Sequence, residues 1–242
     1  MKKILSTIVL VLLLGYIAFA AITLCNKPED QICKGIRLEM RDSIEAGYMS
    51  KADVLALLKQ HALDPTGKLI DEVSCRAMEV VLNEVPLIAS SECYKTISGY
   101  VVVEVECRRP ILRVIADSGD NFYVDEEGEV IEHIARPAYI PVATGHISRE
   151  FARKELLTLA QYLCADELWK AQIEQIYVTS RENIELVPRV GNHTIVLGRP
   201  GNYAYKFSKL RAFYEKGLSQ VGWGRYSHIN IDYNNQVVGT IK

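Results

Sequence analysis

Residues 88–107 read IASSECYKTISGYVVVEVEC, and this stretch decides the fold of the first half of the chain. Val101, Val103, Val105 and Cys107 share one side, while Val102, Glu104 and Glu106 take the other. That period of two marks a strand with one buried face. Ser98-Gly99 predicts a two-residue hairpin turn, which sets Cys93 opposite Glu104 and Cys107 opposite Ser90. Upstream, KGIRLEMR (34–41) alternates Ile36, Leu38 and Met40 with charged residues and reads as another strand. Ser50-Lys-Ala-Asp53 resembles a capping box, and Val54, Leu57, Leu58 and Ala62 follow at helical spacing. A second helix is expected through Met78, Val81, Leu82 and Val85, stopped by Pro86. The order is β-α-α-β-β, with two helices closing a core on one face of a small sheet.

Beyond Arg109-Pro110 the strands shorten. Candidates are 111–116, 122–125 and 130–133, with Glu127-Gly128 as the turn between the last two. Ser148 is placed to cap a helix whose Ala152, Leu156, Leu159, Ala160 and Leu163 form one stripe. Strands 173–179, 184–187 and 193–197 follow. Another helix is expected from about Ser208, with Leu210, Phe213, Tyr214, Gly217, Leu218 and Val221 inside. In the closing hairpin Ile229, Ile231 and Tyr233 alternate with Asn230, Asp232 and Asn234. Asn234-Asn235 supplies the turn, so Ile231 is expected to face Val238 and Asp232 to face Val237, with 236–241 as the last strand.

At the N-terminus, Ile4 to Leu24 carries no charge. As a helix it reaches roughly 30 Å, the thickness of a hydrocarbon core. Lys2 and Lys3 before it predict a cytoplasmic N-terminus with the remainder exported. A cleaved signal ending at Ala18-Phe19-Ala20 and a lipoprotein signal ending at Cys25 export the remainder equally. The 242 residues are 24% charged and 49% hydrophobic, which excludes disorder as the dominant state. A net charge of −2 leaves no basic field to draw the whole chain to nucleic acid. Six cysteines are too few for a disulfide scaffold and lack C-x-x-C spacing. They read mainly as small buried hydrophobes.

The usual reactive constellations are missing from the sequence. His61, His133, His146, His193 and His228 form no H-E-x-x-H and no i,i+4 pair. There is no G-x-S-x-G elbow and no phosphate loop, and Pro200 removes an amide from the Gly198–Gly201 turn. Glu126-Glu127 reads as a solvated turn, and Glu150 and Glu155 as helix surface. The remaining functional feature is the last strand, which has nothing after it to pair with. An open edge of that kind is covered, charged or completed by a partner, with Tyr226 and Tyr233 available for side-chain pockets. The alternative is that it pairs inside the fold.

The whole chain resembles the bacterial cell-division family FtsQ/DivIB. Its junction is similar to Arg108-Arg109-Pro110 and its aromatic-Val/Ile-Asp-x-x-Gly hallmark to Phe122–Gly128. Ile140-Pro141 through Gly145 and the closing Ile229–Tyr233 and Asn235–Gly239 segments complete the match. The resemblance implies an α+β protein: a cytoplasmic stub (1–3), a transmembrane helix (4–24), a linker (25–32), a polypeptide-transport-associated (POTRA) domain (33–107), and a mixed β domain (108–242) with two helices and an open-edged hairpin. It implies a non-enzymatic divisome scaffold at the septum, single-pass in the inner membrane with its bulk periplasmic, without cofactor or metal. Its partners would be FtsB-like and FtsL-like proteins and other divisome members, with no nucleic acid. Carried onto this chain, the partner-binding residues are Tyr233, Asn235, Gln236, Val237, Val238, Gly239 and Thr240. The family's Asp and Arg in the penultimate strand are Asn230 and Asp232 here, a departure expected to alter charge pairing with the partner. A POTRA-containing envelope-assembly or export factor and a periplasmic enzyme are the alternatives.

Overall fold

The computed structural model describes residues 2–25, 31–41, 48–134 and 139–242, with side chains of the first helix described over 10–21. Met1 and the expected linker segment 26–30 lie outside the described residues. The uncharged run folds as helix α1 (Lys2–Cys25), on which Leu10, Leu12, Tyr16 and Phe19 are exposed. Among the described residues no helix is long and apolar enough to cross a membrane.

The first sheet follows from the alternating stretches. Strand β1 (Gly35–Met40) lies parallel to β3 (Tyr100–Cys107), which pairs antiparallel with β2 (Ile88–Lys95), giving the order β1-β3-β2. Helix α2 (Lys51–Gln60) starts at the capping box: Asp53 N–H donates to Ser50 Oγ, and Ser50 N–H donates to the Asp53 carboxylate at 2.8 Å. Helix α3 (Cys75–Asn83) is capped by Ser74, with Ala77 N–H donating to its hydroxyl. Val54, Leu58, Met78 and Leu82 form one core with Val101, Val103 and Val105. Ala62 departs from the expected stripe: it is exposed and left-handed (φ 57°), past the helix end.

The expected hairpin register is corrected by one residue. Cys93 faces Val103, because the loop is the three residues Ile97-Ser98-Gly99, and a bulge between Ile88 and Ser90 shifts the end of the ladder once more, so that Cys107 faces Ile88. Gly99 N–H closes on Thr96, and Gly99 at φ 85° takes the left-handed position that such loops require. Cys33, Cys75, Cys93 and Cys164 are free thiols. Burial pushes the Cys93 thiol up to about 12, which keeps it protonated and unreactive.

An ion pair with a buried carboxylate ties the junction to the second sheet. Arg108 Nη1 donates to Asp125 Oδ2 at 2.9 Å, and Asp125 is fully buried. The other carboxylate oxygen accepts the amides of Glu127 and Glu129 at 3.1 and 2.7 Å. The Asp of the hallmark stretch thus organises its own Glu126–Gly128 turn and grips the preceding element. Leu87, Tyr123, Ile131 and Ile134 cluster beside it.

Among the described residues the second sheet has nine strands in the order β12-β11-β10-β9-β8-β7-β4-β5-β6. Strands β4 (Pro110–Ala116), β5 (Asn121–Asp125) and β6 (Val130–Ile131) fall on expected stretches, though β6 ends before His133. Strand β7 (Val142–Gly145), which the sequence reading did not assign, lies parallel between β4 and β8. A helical segment runs through α4 (Arg149–Phe151), a π-turned stretch (Ala152–Leu156) and α5 (Leu157–Cys164). The whole expected stripe Ala152, Leu156, Leu159, Ala160, Leu163 is fully buried. Short α6 (Glu167–Gln172), also not anticipated, is capped by Asp166 and buries Trp169. Strands β8 (Ile173–Val178), β9 (Ile184–Pro188) and β10 (Thr194–Gly198) come next.

Helix α7 (Tyr203–Phe213) begins five residues before the expected start, after Asn202 turns the chain through the left-handed region. It continues through a π-turned stretch (Tyr214–Leu218) into α8 (Ser219–Val221), where Val221 is exposed rather than inside. Strands β11 (Tyr226–Asn230) and β12 (Val238–Ile241) complete the sheet.

His193, just before β10, is buried with Nε2 2.9 Å from the Tyr214 hydroxyl. Its Nδ1 has no partner among the described residues. Burial, then the Lys242 charge, holds its pKa below the ordinary 6.5. A folded-state pKa below the unfolded one means the unfolded chain takes up the proton first, so stability is lost as pH falls below that unfolded value. Thermal unfolding from about pH 7.5 down to about pH 5 should show the loss, and His193→Gln should flatten this part of the slope. An unchanged slope in the variant would remove His193 from the account.

Candidate interaction edge

The candidate site is built on β11, β12 and the connection between them. The expected register is corrected here as well. Val238 faces Asn230, Gly239 faces Ile229, Thr240 faces His228 and Ile241 faces Tyr226. Strand pairing ends at Asn230, so 231–237 form a longer connection instead of a two-residue turn. Asn235 alone in that connection takes a left-handed backbone (φ 58°). Ser227 is an extra residue in β11 and donates its hydroxyl to the Thr240 carbonyl at 3.2 Å.

Helix α7 holds this connection by two lysines and a tyrosine. Lys206 is buried, and its Nζ donates to the carbonyls of Leu197 (2.9 Å) and Arg199 (2.8 Å) and to Asp232 Oδ1 (2.8 Å). Asp232, half exposed, thus pairs its charge with a lysine of its own chain. The carboxylate rests where a side chain on Gly198 would stand: a Cβ there lies 2.2 Å from Asp232 Cγ, and φ is 75°. Asn230 Oδ1 accepts the Asp232 amide at 2.9 Å. One turn on, Lys209 Nζ donates to the carbonyls of Ile231 (2.7 Å), Tyr233 and Gln236 (3.4 Å). The Tyr205 hydroxyl accepts the Asn235 amide at 2.7 Å and donates to Asn235 Oδ1 at 2.8 Å. These three side chains carried no signal in the sequence, where a lysine on a helix reads as surface.

The seven expected partner residues divide into two sets. Tyr233, Asn235, Gln236, Val238 and Thr240 are exposed, Tyr233 by 52% and Val238 by 42%. Val237 turns inward against the core. Gly239 lies under the Tyr226 ring, since a Cβ there would stand 2.6 Å from it. Tyr226 in turn packs on Phe213, with ring centres 5.6 Å apart, so it supports β12 from within.

Strand β12 pairs with β11 on one side, and among the described residues no strand occupies the other. Along an antiparallel strand the amide and carbonyl of one residue point the same way and successive residues alternate. Lys242 N–H bonds inward to the Arg225 carbonyl, and the Thr240 carbonyl also points toward β11. Gly239 and Ile241 therefore turn their amides and carbonyls outward. Away from this edge, a groove of about 600 Å³ is lined by Ser148, Glu150, Lys154, Glu155, Arg181 and Arg199 among others. Glu150 and Lys154 pair with each other there at 2.7 Å. Among the described residues no three potential metal ligands gather.

A small helix-backed sheet followed by a large mixed sheet is the arrangement of a POTRA-type module with a β domain after it. Residues 31–106 match the POTRA-like domain model. Residues 109–240, more than half the chain, match the model described as FtsQ/DivIB, C-terminal related. The chain belongs to this FtsQ/DivIB-related family of cell-division proteins. A comparison with curated proteins finds no match.

Replacing Lys206 with Met leaves Asp232 and two carbonyls without their donor, a cost of about 1–3 kcal/mol in urea unfolding. Lys209→Met should change global stability by less than about 1 kcal/mol while accelerating amide exchange over 236–241, because it frees the connection without opening the core. Equal effects of the two substitutions would contradict this division of roles.

Proposed function

We propose that this protein is a non-enzymatic scaffold of the division machinery that docks a partner segment as an added strand on the outer side of β12. The reading rests on one observation: the outward amides and carbonyls of Gly239 and Ile241 at an unpaired sheet rim. Those four groups offer about 2–6 kcal/mol gross at roughly 0.5–1.5 kcal/mol per bond, from which the ordering of the peptide is subtracted. Exposed Tyr233 and Val238 supply side-chain contacts that lift the interaction above that margin. The partners proposed are FtsB-like and FtsL-like division proteins, together with other divisome members.

In the same proposal, 4–24 is a single-pass anchor in the inner membrane, with 1–3 cytoplasmic and the bulk of the chain periplasmic at the septum. The linker is read as 25–32, of which Gln31 and Ile32 already pair with the first domain, with 33–107 the POTRA domain and 108–242 the β domain. The anchor reading is supported by the uncharged sequence run and by the exposed apolar side chains of α1. Side chains 10–21 alone are too few to span a bilayer, and the full run is long enough.

Proline tests the strand addition. Ile241→Pro removes an outward amide and leaves the β11–β12 ladder intact, as prolines at sheet edges do. Partner binding should fall at least about tenfold, equivalent to about 1.4 kcal/mol, with the unfolding midpoint unchanged. Thr240→Pro removes an inward amide and should lower the midpoint as well. A photo-cross-linker at 240 should capture a division protein in cells. Full partner affinity in Ile241→Pro would overturn the proposal.

A further inference from the structure

The end of the POTRA-like domain nearest α1 is built from three neighbouring segments. Gln31 donates its side-chain amide to the Ile97 carbonyl at 3.0 Å, and its own carbonyl accepts the Ile70 amide at 2.8 Å. Ile32 bridges to Leu69, and Cys33 N–H donates to the Lys68 carbonyl at 2.8 Å. Stretches 31–35, 66–70 and 95–100 therefore meet at one tip. Three of its apolar side chains face outward: Ile97, 98% exposed at the apex of the β2–β3 loop, with Ile32 at 58% and Leu69 at 37%.

Lysines predominate at this tip, although the Asp64 carboxylate, bonded to Thr66 at 2.7 Å, lies close enough to Lys68 to feel its charge. The three stretches hold Lys34, Lys68 and Lys95 and no carboxylate, while Asp71 and Glu72 follow on the next turn. Lys34 Nζ donates to the Ser98 carbonyl at 2.9 Å, at the apex itself, and Lys95 Nζ to the Asp71 carbonyl at 3.3 Å. Both ammonium groups are bonded only to neutral carbonyls there, so their charge stays available to an anion.

The tether sets where this tip can be. From Cys25, the last residue of α1, to Gln31 is six residues, at most about 20 Å when fully extended. We propose that this tip rests on an anionic phospholipid bilayer, with Ile97 and Ile32 dipping into the interface and Lys34, Lys68 and Lys95 against the phosphates. Apolar side chains ringed by lysines bind such surfaces by burial and by attraction to anionic headgroups. The inference rests on the anchor reading of 4–24. Its consequence is geometric, because a grounded tip fixes the orientation of the first sheet relative to the membrane.

The test uses the full chain carrying Ile97→Trp, reconstituted in phosphatidylglycerol vesicles with brominated acyl chains. The introduced indole should lose about half its fluorescence, since interfacial side chains sit about 5–10 Å into the headgroup and acyl boundary. Leu168→Trp, on α6 of the other half, should not. Adding Lys34→Glu and Lys95→Glu should abolish the quenching, as should vesicles of pure phosphatidylcholine. If the chain stays in the vesicles after alkaline washing but Ile97→Trp is quenched no more than Leu168→Trp, the tip proposal is overturned and the anchor stands. If the chain washes off, both fall. Equal quenching in phosphatidylcholine overturns the requirement for anionic lipid.

Discussion

A single buried ammonium organises the end of the large sheet that carries β12. Lys206 is carried by α7 into a position where three oxygens, two carbonyls from the end of β10 and one from Asp232, replace its water. A buried lysine is tolerable only when its donors are satisfied and its charge is matched, and here both conditions are met by elements far apart in sequence. The pair stitches α7, β10 and the end of β11 together. It also explains why position 198 holds a glycine, since any side chain there would displace the carboxylate. Lys209, one turn away, extends the grip to the backbone leading into β12.

Charge is used in the same way at the opposite end of the large sheet. Arg108 reaches back from the junction to fully buried Asp125, whose second oxygen closes the turn that follows it. Removing one partner of such a pair is far more damaging than replacing both, because the survivor is left desolvated. The pair fixes the start of the second half, and the contact between the halves is the apolar cluster of Leu87 with Tyr123, Ile131 and Ile134. Both ionic contacts act on connections, where hydrophobic burial alone specifies geometry poorly.

How much of this was legible in the sequence depends on the range of the interaction. Local signals read correctly: the alternation of 100–107, the Ser50–Asp53 box and the Ala152–Leu163 stripe each depend on residues within one or two turns. Both hairpin registers were misread, because the loop lengths were set by a left-handed Gly99 in one case and by side chains of α7 in the other. Helix α6, barely more than a turn and a half, gives too short a pattern for periodicity to detect. Strand β7 is buried between parallel neighbours and has too few residues to show alternation. At the candidate edge, the sequence names seven residues without dividing them into exposed and inward side chains. Val237 against the core and Gly239 beneath Tyr226 follow from a register that the sequence does not encode locally.

The two rims of the nine-stranded sheet are treated differently, and the contrast bears on why one of them would be used. At the β6 rim the strand is only two residues long, and ion pairs flank it: Arg149 holds Glu132 at 2.7 Å, and Arg153 holds Glu129 at 3.2 Å. Shortness and fixed charge are the ordinary means of keeping an edge from pairing with a foreign strand. The β12 rim has neither. It runs four residues and exposes Val238 and Ile241, and no charged side chain lies between Asp232 and Lys242. It is nevertheless held rigidly from behind by Lys209, Tyr205 and Tyr226. An edge left to chance would be frayed as well as exposed. One that is exposed yet braced has already met part of the ordering cost of accepting a strand, which is the condition under which a few backbone bonds suffice for binding.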